Sequence, residues 1–331
     1  MKKHRGKITV LLAAAMAVTG GVTSQADQGH GDRHKHKGKH NHKIKTKTFT
    51  LPANAGNPEG VAYDRRSGRF YVSEARPGSD GVGGRVWRGK LGSKTLKPFL
   101  PAAADRPGTI GMKVKRGKLY IAGGPAGDVE VYDISSKERV AQFQLCATGC
   151  FVNDLSVAKN GDVFVTESNL SQFVYRIPAE AVRNGGGAVD PIAISPPLTP
   201  VAGAPNANGI AANKGRYVVF VQSSAGKLFR LDRRTREVTE IPVSGGEVTN
   251  GDGIVLDGRT LYVVRNRDQL IAKVKLSRNF GTARVVKTKT DKTFEDPTTA
   301  ALAGKRLLVV NSDFFPPNPG APFHVSGIKA P

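Results

Sequence analysis

After residue 44 one supersecondary unit recurs six times. Each unit opens on a small or acidic residue, often beside glycine, and runs through an apolar alternation, a turn, a strongly β-forming stretch, a second turn and another alternation. The spacing predicts innermost strands over 59–62, 110–113, 154–157, 208–211, 252–255 and 297–300, which lie 51, 44, 54, 44 and 45 residues apart. Turns follow at Ser67-Gly68, Arg116-Gly117, Asn160-Gly161, Lys214-Gly215, Asp257-Gly258 and Gly304-Lys305. Asn-Gly and Asp-Gly are strong hairpin formers, because both central positions of the favoured turn need positive φ. Second strands are expected over 69–73, 118–122, 162–166, 217–221, 260–264 and 306–310. Third strands are expected over 85–91, 128–134, 172–177, 227–232, 271–276 and 323–329. Fourth strands are fainter, as at 139–145 and 237–243. Six units of about 48 residues with three or four short strands each describe an all-β, six-bladed β-propeller. A β-sandwich of similar strand content would not repeat at this period. The sixth unit ends without a fourth strand, and the alternation over 45–51 can supply it and close the ring.

Residues 1–26 read as a signal peptide, with a basic start through Lys7, an apolar run from Ile8 to Val18 and small residues at Ser24-Gln25-Ala26. No later stretch is long and apolar enough to be a transmembrane anchor, and no cysteine marks a lipoprotein, so the mature chain is expected to be secreted and extracellular. Residues 27–43 form a His/Lys-rich spacer, with His30, His34, His36, His40 and His42 among lysines. A disordered basic tether is the preferred reading over a weak metal scavenger. In an oxidising compartment Cys146 and Cys150 are expected to form a local disulfide. The net charge is +23; residues 1–47 hold eleven Lys or Arg against Asp27 and Asp32, which leaves +14 for the rest. Anionic cell-wall or surface polymers should therefore attract the chain. Specific nucleic-acid binding is not expected, because no basic–aromatic pattern is present. A monomer is expected.

Innermost propeller strands begin beside the axis, so residues at their starts share a central space. Those positions are Glu59, Ile110, Asn153 with Asp154, Asn208, Asp252 and Asp296. Each alone could simply be a turn former. Converging carboxylates repel unless they share a cation, and oxygen donors suit Ca²⁺, Mg²⁺ or Mn²⁺, whereas a channel without histidine is a poor conventional zinc site. No G-x-S-x-G elbow, H-E-x-x-H helix or phosphate-binding P-loop occurs.

The segments Asn57-Pro58-Glu59-Gly60-Val61-Ala62-Tyr63, Val152-Asn153-Asp154, Asn208-Gly209-Ile210-Ala211 and Asp252-Gly253-Ile254 resemble strand starts of the senescence marker protein/gluconolactonase/regucalcin family. The resemblance covers nearly all of the chain after residue 48. It implies one divalent cation, Ca²⁺ first with Mg²⁺, Mn²⁺ and Zn²⁺ as alternatives, held by Glu59, Asn208 and Asp252. It also implies a small-molecule lactone or related ester as substrate, bound beside Asn153, and Asp252 as general base. Asp154 and Glu167 are further candidates for substrate binding, with Glu74 and Asp313 on the same rim. The two-cysteine loop, the glycines from Gly78 to Gly84 and Phe314-Phe315-Pro316-Pro317 depart from the family and should reshape the channel mouth. A copper/zinc dismutase would need a histidine cluster, and a carbon–oxygen lyase would need catalytic histidines; the repeats offer only His324. The competing reading is a non-catalytic extracellular metal-containing propeller that binds a ligand or cell-wall polymer.

Overall fold

The computed structural model describes residues 44–315 and 320–331. The signal peptide and spacer expected over 1–43 lie outside the described residues. Among the described residues six sheets, antiparallel except for one short edge pair, follow one another as the blades of a propeller. The first blade is Pro58–Asp64, Arg69–Glu74, Val86–Lys90 and Lys97–Leu100, paired in that order. The next four repeat the plan, their innermost strands being Met112–Lys115, Val152–Val157, Ala207–Ala212 and Gly251–Asp257. The sixth is Pro297–Ala303, Arg306–Asn311 and His324–Lys329, completed by Lys47–Thr50 from the other end of the described chain. One short helix, Ala179–Arg183, leads into the outer strand of the third blade. No helix among the described residues is long and apolar enough to cross a membrane.

The core lies between blades, because each sheet buries both faces against its neighbours. One cluster joins Val219, Val221 and Leu228 of the fourth blade to Ile254, Val263 and Ala272 of the fifth. Another joins Phe49 of the closing strand to Phe70 and Trp87 of the first blade and Val325 of the sixth. Phe49 meets Phe70 edge-on at 5.1 Å between ring centres. Apolar alternation at period two therefore builds the blades and their contacts together.

Two expected strands differ. The run 237–243 is broken at Pro242: Val238–Ile241 completes the fourth blade, whereas Val243–Ser244 pairs in parallel with Ala283–Thr290 of the fifth. Proline has no amide to continue the ladder, so the chain changes sheets there. In the second blade the innermost strand begins at Met112 rather than at residue 110, because the Gly111 amide donates instead to Asn153 O of the next blade.

Cys146 and Cys150 form a disulfide, and no free cysteine occurs among the described residues. It closes only the short loop before Phe151, so chain-entropy arguments limit its contribution to about 2 kcal/mol. Cys146→Ser/Cys150→Ser is expected to lower Tm by a few degrees in a thermal melt; loss of the folded state would refute this local role.

Candidate functional site

Five of the six innermost strands begin with a register break. Pairing skips between Pro58 and Val61, Val152 and Leu155, Ala207 and Ile210, Gly251 and Ile254, and Pro297 and Ala300. A bulge of this kind leaves residues unpaired and re-aims their side chains. The residue that enters each bulge is Glu59, Asn153, Asn208, Asp252 or Thr298. Adjacent inner strands meet so closely here that a Cβ on Gly60 would fall 2.2 Å from Ile110 O, and one on Gly209 2.2 Å from Asp252 O. The glycine after Glu59, Asn208 and Asp252 is thus a packing requirement of the axis.

Glu59, Asn153, Asn208 and Asp252 line one cavity of about 300 Å³, together with Asn169, Ser168 and Asn266. The rest of the wall is apolar: Ala75, Ile110, Phe151, Pro205, Phe314 and Phe315. Arg76 stacks on Phe314 at 4.5 Å and Arg267 on Phe315 at 4.1 Å, so both rings are held from outside the cavity by cations. No Lys or Arg is itself a lining residue.

The amides are oriented by hydroxyls from the second strands. Asn153 Nδ2 donates to Ser168 Oγ at 2.9 Å, and Ser168 Oγ donates to Ala207 O of the next blade at 2.8 Å. Asn208 Nδ2 likewise donates to Ser223 Oγ at 3.1 Å, and Ser223 Oγ donates to Gly251 O. A hydroxyl whose one proton is committed can only accept from the amide, which fixes the NH₂ toward serine. Asn153 Oδ1 and Asn208 Oδ1 are left without a donor, as is Glu59 Oε2. These are three of the five buried side-chain polar atoms that lack partners among the described residues. Buried acceptors without donors are costly, and these three are concentrated in one chamber.

Burial, then the charges of Asp252 and Asp154, push the Glu59 carboxyl well above its usual range; Lys113 partly opposes this. Burial pushes Asp252 up to about 7 despite the hydrogen bond it accepts from Asn266 Nδ2 at 2.9 Å. Among the described residues no group of three or more His, Cys, Asp and Glu is placed to hold a metal. Two carboxylates and two side-chain amides line the chamber, and their oxygens are hard donors of the kind Ca²⁺ or Mg²⁺ takes.

Other candidates are placed differently. Asp154 sits deeper, where Oδ1 accepts from Lys113 Nζ at 2.8 Å and from the Leu155 amide at 2.8 Å. Glu167 does not line the cavity. Its oxygens accept the amides of Phe151, Asn169, Leu170 and Ser171, clamping two loops. Glu74 is held by the Gly56 amide, Trp87 Nε1 and Arg85. Asp313 Oδ2 accepts the Gly320 amide. Asp296 also fails to reach the cavity: Gln269 Nε2 and the Phe315 amide take its oxygens. Thr298 stands at that position of the sixth blade, two residues later, and Thr299 Oγ1 approaches Glu59 Oε1 at 3.4 Å. His324 Nε2 lies 2.8 Å from Thr293 O, a packing role. Sequence reasoning missed Ser168, Ser223 and Asn266. Their signal was positional, since each follows its bulge residue by 14 or 15 positions, just past the second strand.

No protein-family model matches the chain, and no curated protein matches it. Solved structures do match. The calcium-binding protein regucalcin from Agrobacterium tumefaciens is 17% identical with a TM-score of 0.57, over 85% of this chain and 97% of that one. The major allergen Mala s 1 of Malassezia sympodialis is 14% identical with a TM-score of 0.63, over 85% and 95%. Virginiamycin B lyase from Staphylococcus aureus is 13% identical with a TM-score of 0.56, over 87% and 99%. At such identities the likeness shows the propeller fold.

Proposed function

We propose that this propeller is a secreted, divalent-cation-dependent hydrolase of a lactone or related ester. The observation that carries the reading is the set of donorless buried oxygens, Glu59 Oε2, Asn153 Oδ1 and Asn208 Oδ1, in one chamber with Asp252. Glu59, Asn208 and Asp252 would hold the cation, with Asn153 beside the substrate. A divalent cation there supplies Lewis-acid polarisation of the ester carbonyl. The calcium-binding regucalcin among the structural neighbours adds support for this cation class.

Asp252 has the properties of a general base. With a cation beside it the carboxylate stays ionised, the form that can accept a proton from water. Asn266 holds its Oδ2 in place, and Phe314 and Phe315 form part of the chamber wall. With Ile110, Phe151 and Pro205 as further walls and no lining cation, the chamber suits a neutral ester with an apolar body. Sugar lactones, whose hydroxyls need partners, should be poorer substrates.

The test is a lactone panel on the full chain, comparing alkyl and aryl lactones with a sugar lactone, before and after chelation. Turnover should fall by about a hundredfold or more with EDTA and return with Ca²⁺. Folded, cation-loaded protein without turnover across the panel would leave a non-catalytic ligand-binding propeller instead. A finer test concerns the amide orientation. Ser223→Ala frees the Asn208 amide to rotate, and cation affinity by calorimetry should drop about tenfold or more, as for other outer partners of metal ligands. An unchanged affinity would remove Ser223 from the site.

A further inference from the structure

The end of the channel opposite the carboxylates has the reverse charge. Bulges occupy the start of five of the six innermost strands, so the turns to the second strands lie at the other end of the axis, about 20 Å away along a seven-residue strand. Four of these turns surround a cavity of about 810 Å³. Arg65 and Arg66 come from the first blade, Lys115 and Arg116 from the second, Lys214 from the fourth and Arg259 from the fifth. The turns of the third and sixth blades carry Lys159 and Lys305, so each of the six turns bears a cation.

These charges are not neutralised. Among the described residues none of the six lining cations has a carboxylate partner within ion-pairing distance. Two carboxylates share the lining, and Asp64 turns back on its own loop, accepting from the Arg66 amide at 3.0 Å and from Ser67 Oγ at 2.5 Å. Asp257 is exposed. The cavity narrows past Tyr63, Val114 and Leu256 into a waist of about 200 Å³. Lys113, which pairs with Asp154, lies along that waist between the two chambers. A concave basic surface focuses its field and concentrates anions.

We propose that this basic mouth is a binding site for a compact, multivalent phosphate anion, separate from the ester chamber. Cations from four blades line one cavity, so a compact ligand that carries several charges can meet them together. Arginine forks from different blades can each take two phosphate oxygens, with Lys115 and Lys214 as point charges. A nucleic-acid strand would call for an open track with exposed aromatic platforms, whereas Tyr63 is half-buried and Phe280 buried.

The probe is inorganic tripolyphosphate, titrated calorimetrically into the full chain at about 0.05 M salt, where screening still permits binding. Arg65→Gln/Lys214→Gln/Arg259→Gln removes charge from three blades; none of these side chains makes a hydrogen bond or ion pair among the described residues, so folding is untouched. Saturable binding that weakens about tenfold or more in this variant supports the proposal. The charge-matched control Lys90→Gln/Lys94→Gln/Lys97→Gln, on the outside of the first blade, should bind as the parent does. No saturation by about 1 mM probe at that salt would overturn the proposal. So would equal weakening in the control, binding lost only on neutralising Lys35, Lys37 and Lys39 of the tail, or tighter binding of a DNA duplex than of tripolyphosphate.

Discussion

Asp252→Asn is expected to abolish cation-dependent ester hydrolysis, by about three orders of magnitude or more, while raising the stability of the cation-free protein. The two effects have one cause. Burial lifts the Asp252 carboxyl from an ordinary 3.8 to about 7, so without a cation the folded state binds more protons than the unfolded state across that interval. Stability must then fall as pH rises from about 4 to about 7, by up to about 4 kcal/mol for three units. Glu59, shifted in the same direction, adds to the fall. Asparagine keeps the shape and carries no charge, so the variant should lose the Asp252 share of this slope. Melting curves from pH 4 to 8 in EDTA should show Tm declining for the parent and declining less for the variant. Added Ca²⁺ should reverse the decline in the parent and do little for the variant. A parent Tm that is flat with pH in EDTA would refute the buried-charge account. A variant retaining a tenth of the activity would remove Asp252 as the base.

Removing residues 1–52 is expected to prevent folding, whereas removing 1–43 should leave Tm within about 2 °C of the parent. The first cut takes away Lys47–Thr50, the fourth strand of the last blade. Phe49 and Leu51, buried between the first and sixth blades, go with it. Deleting such side chains costs about 2–5 kcal/mol each, and the open ring also exposes the edge of His324–Lys329. A domain whose whole stability is about 5–15 kcal/mol does not withstand both losses. Circular dichroism and sedimentation of the two shortened chains would check this; similar melting curves would show that the blades stand without closure. Phe49→Ala, the milder form, should cost about 3–5 kcal/mol in a denaturant titration.

The blades were legible because a strand, its hairpin turn and its alternation are all written within a dozen residues. Asp257-Gly258 turns the chain between Gly251–Asp257 and Thr260–Arg265 whatever surrounds it. The closing strand was legible for a related reason, since a sixth unit lacking its outer strand and an alternating stretch near residue 47 leave one another as partners. Pro242 shows the limit: the alternation continues through 237–243, but the missing amide divides that run between two sheets.

The site was legible only as positions. Glu59, Asn153, Asn208 and Asp252 could be picked out because they recur at one point of the repeat. Asp296 stands at an equally plausible point and is spent on Gln269 and the Phe315 loop, because the bulge of the sixth blade begins two residues later. Glu167 and Glu74 look like rim carboxylates in sequence, yet backbone amides and Arg85 consume them.

Sequence by itself determined the six-fold repeat, the ring closure and the disulfide, since local pattern and spacing suffice for each. Tertiary structure alone decided which oxygens lie in one chamber without donors, and that the opposite mouth gathers unpaired cations from four blades. The physical reason is distance along the chain. The serine carbonyl partners Ala207 and Gly251 lie 39 and 28 residues away, on the next blade, and no local pattern encodes a contact from blade to blade.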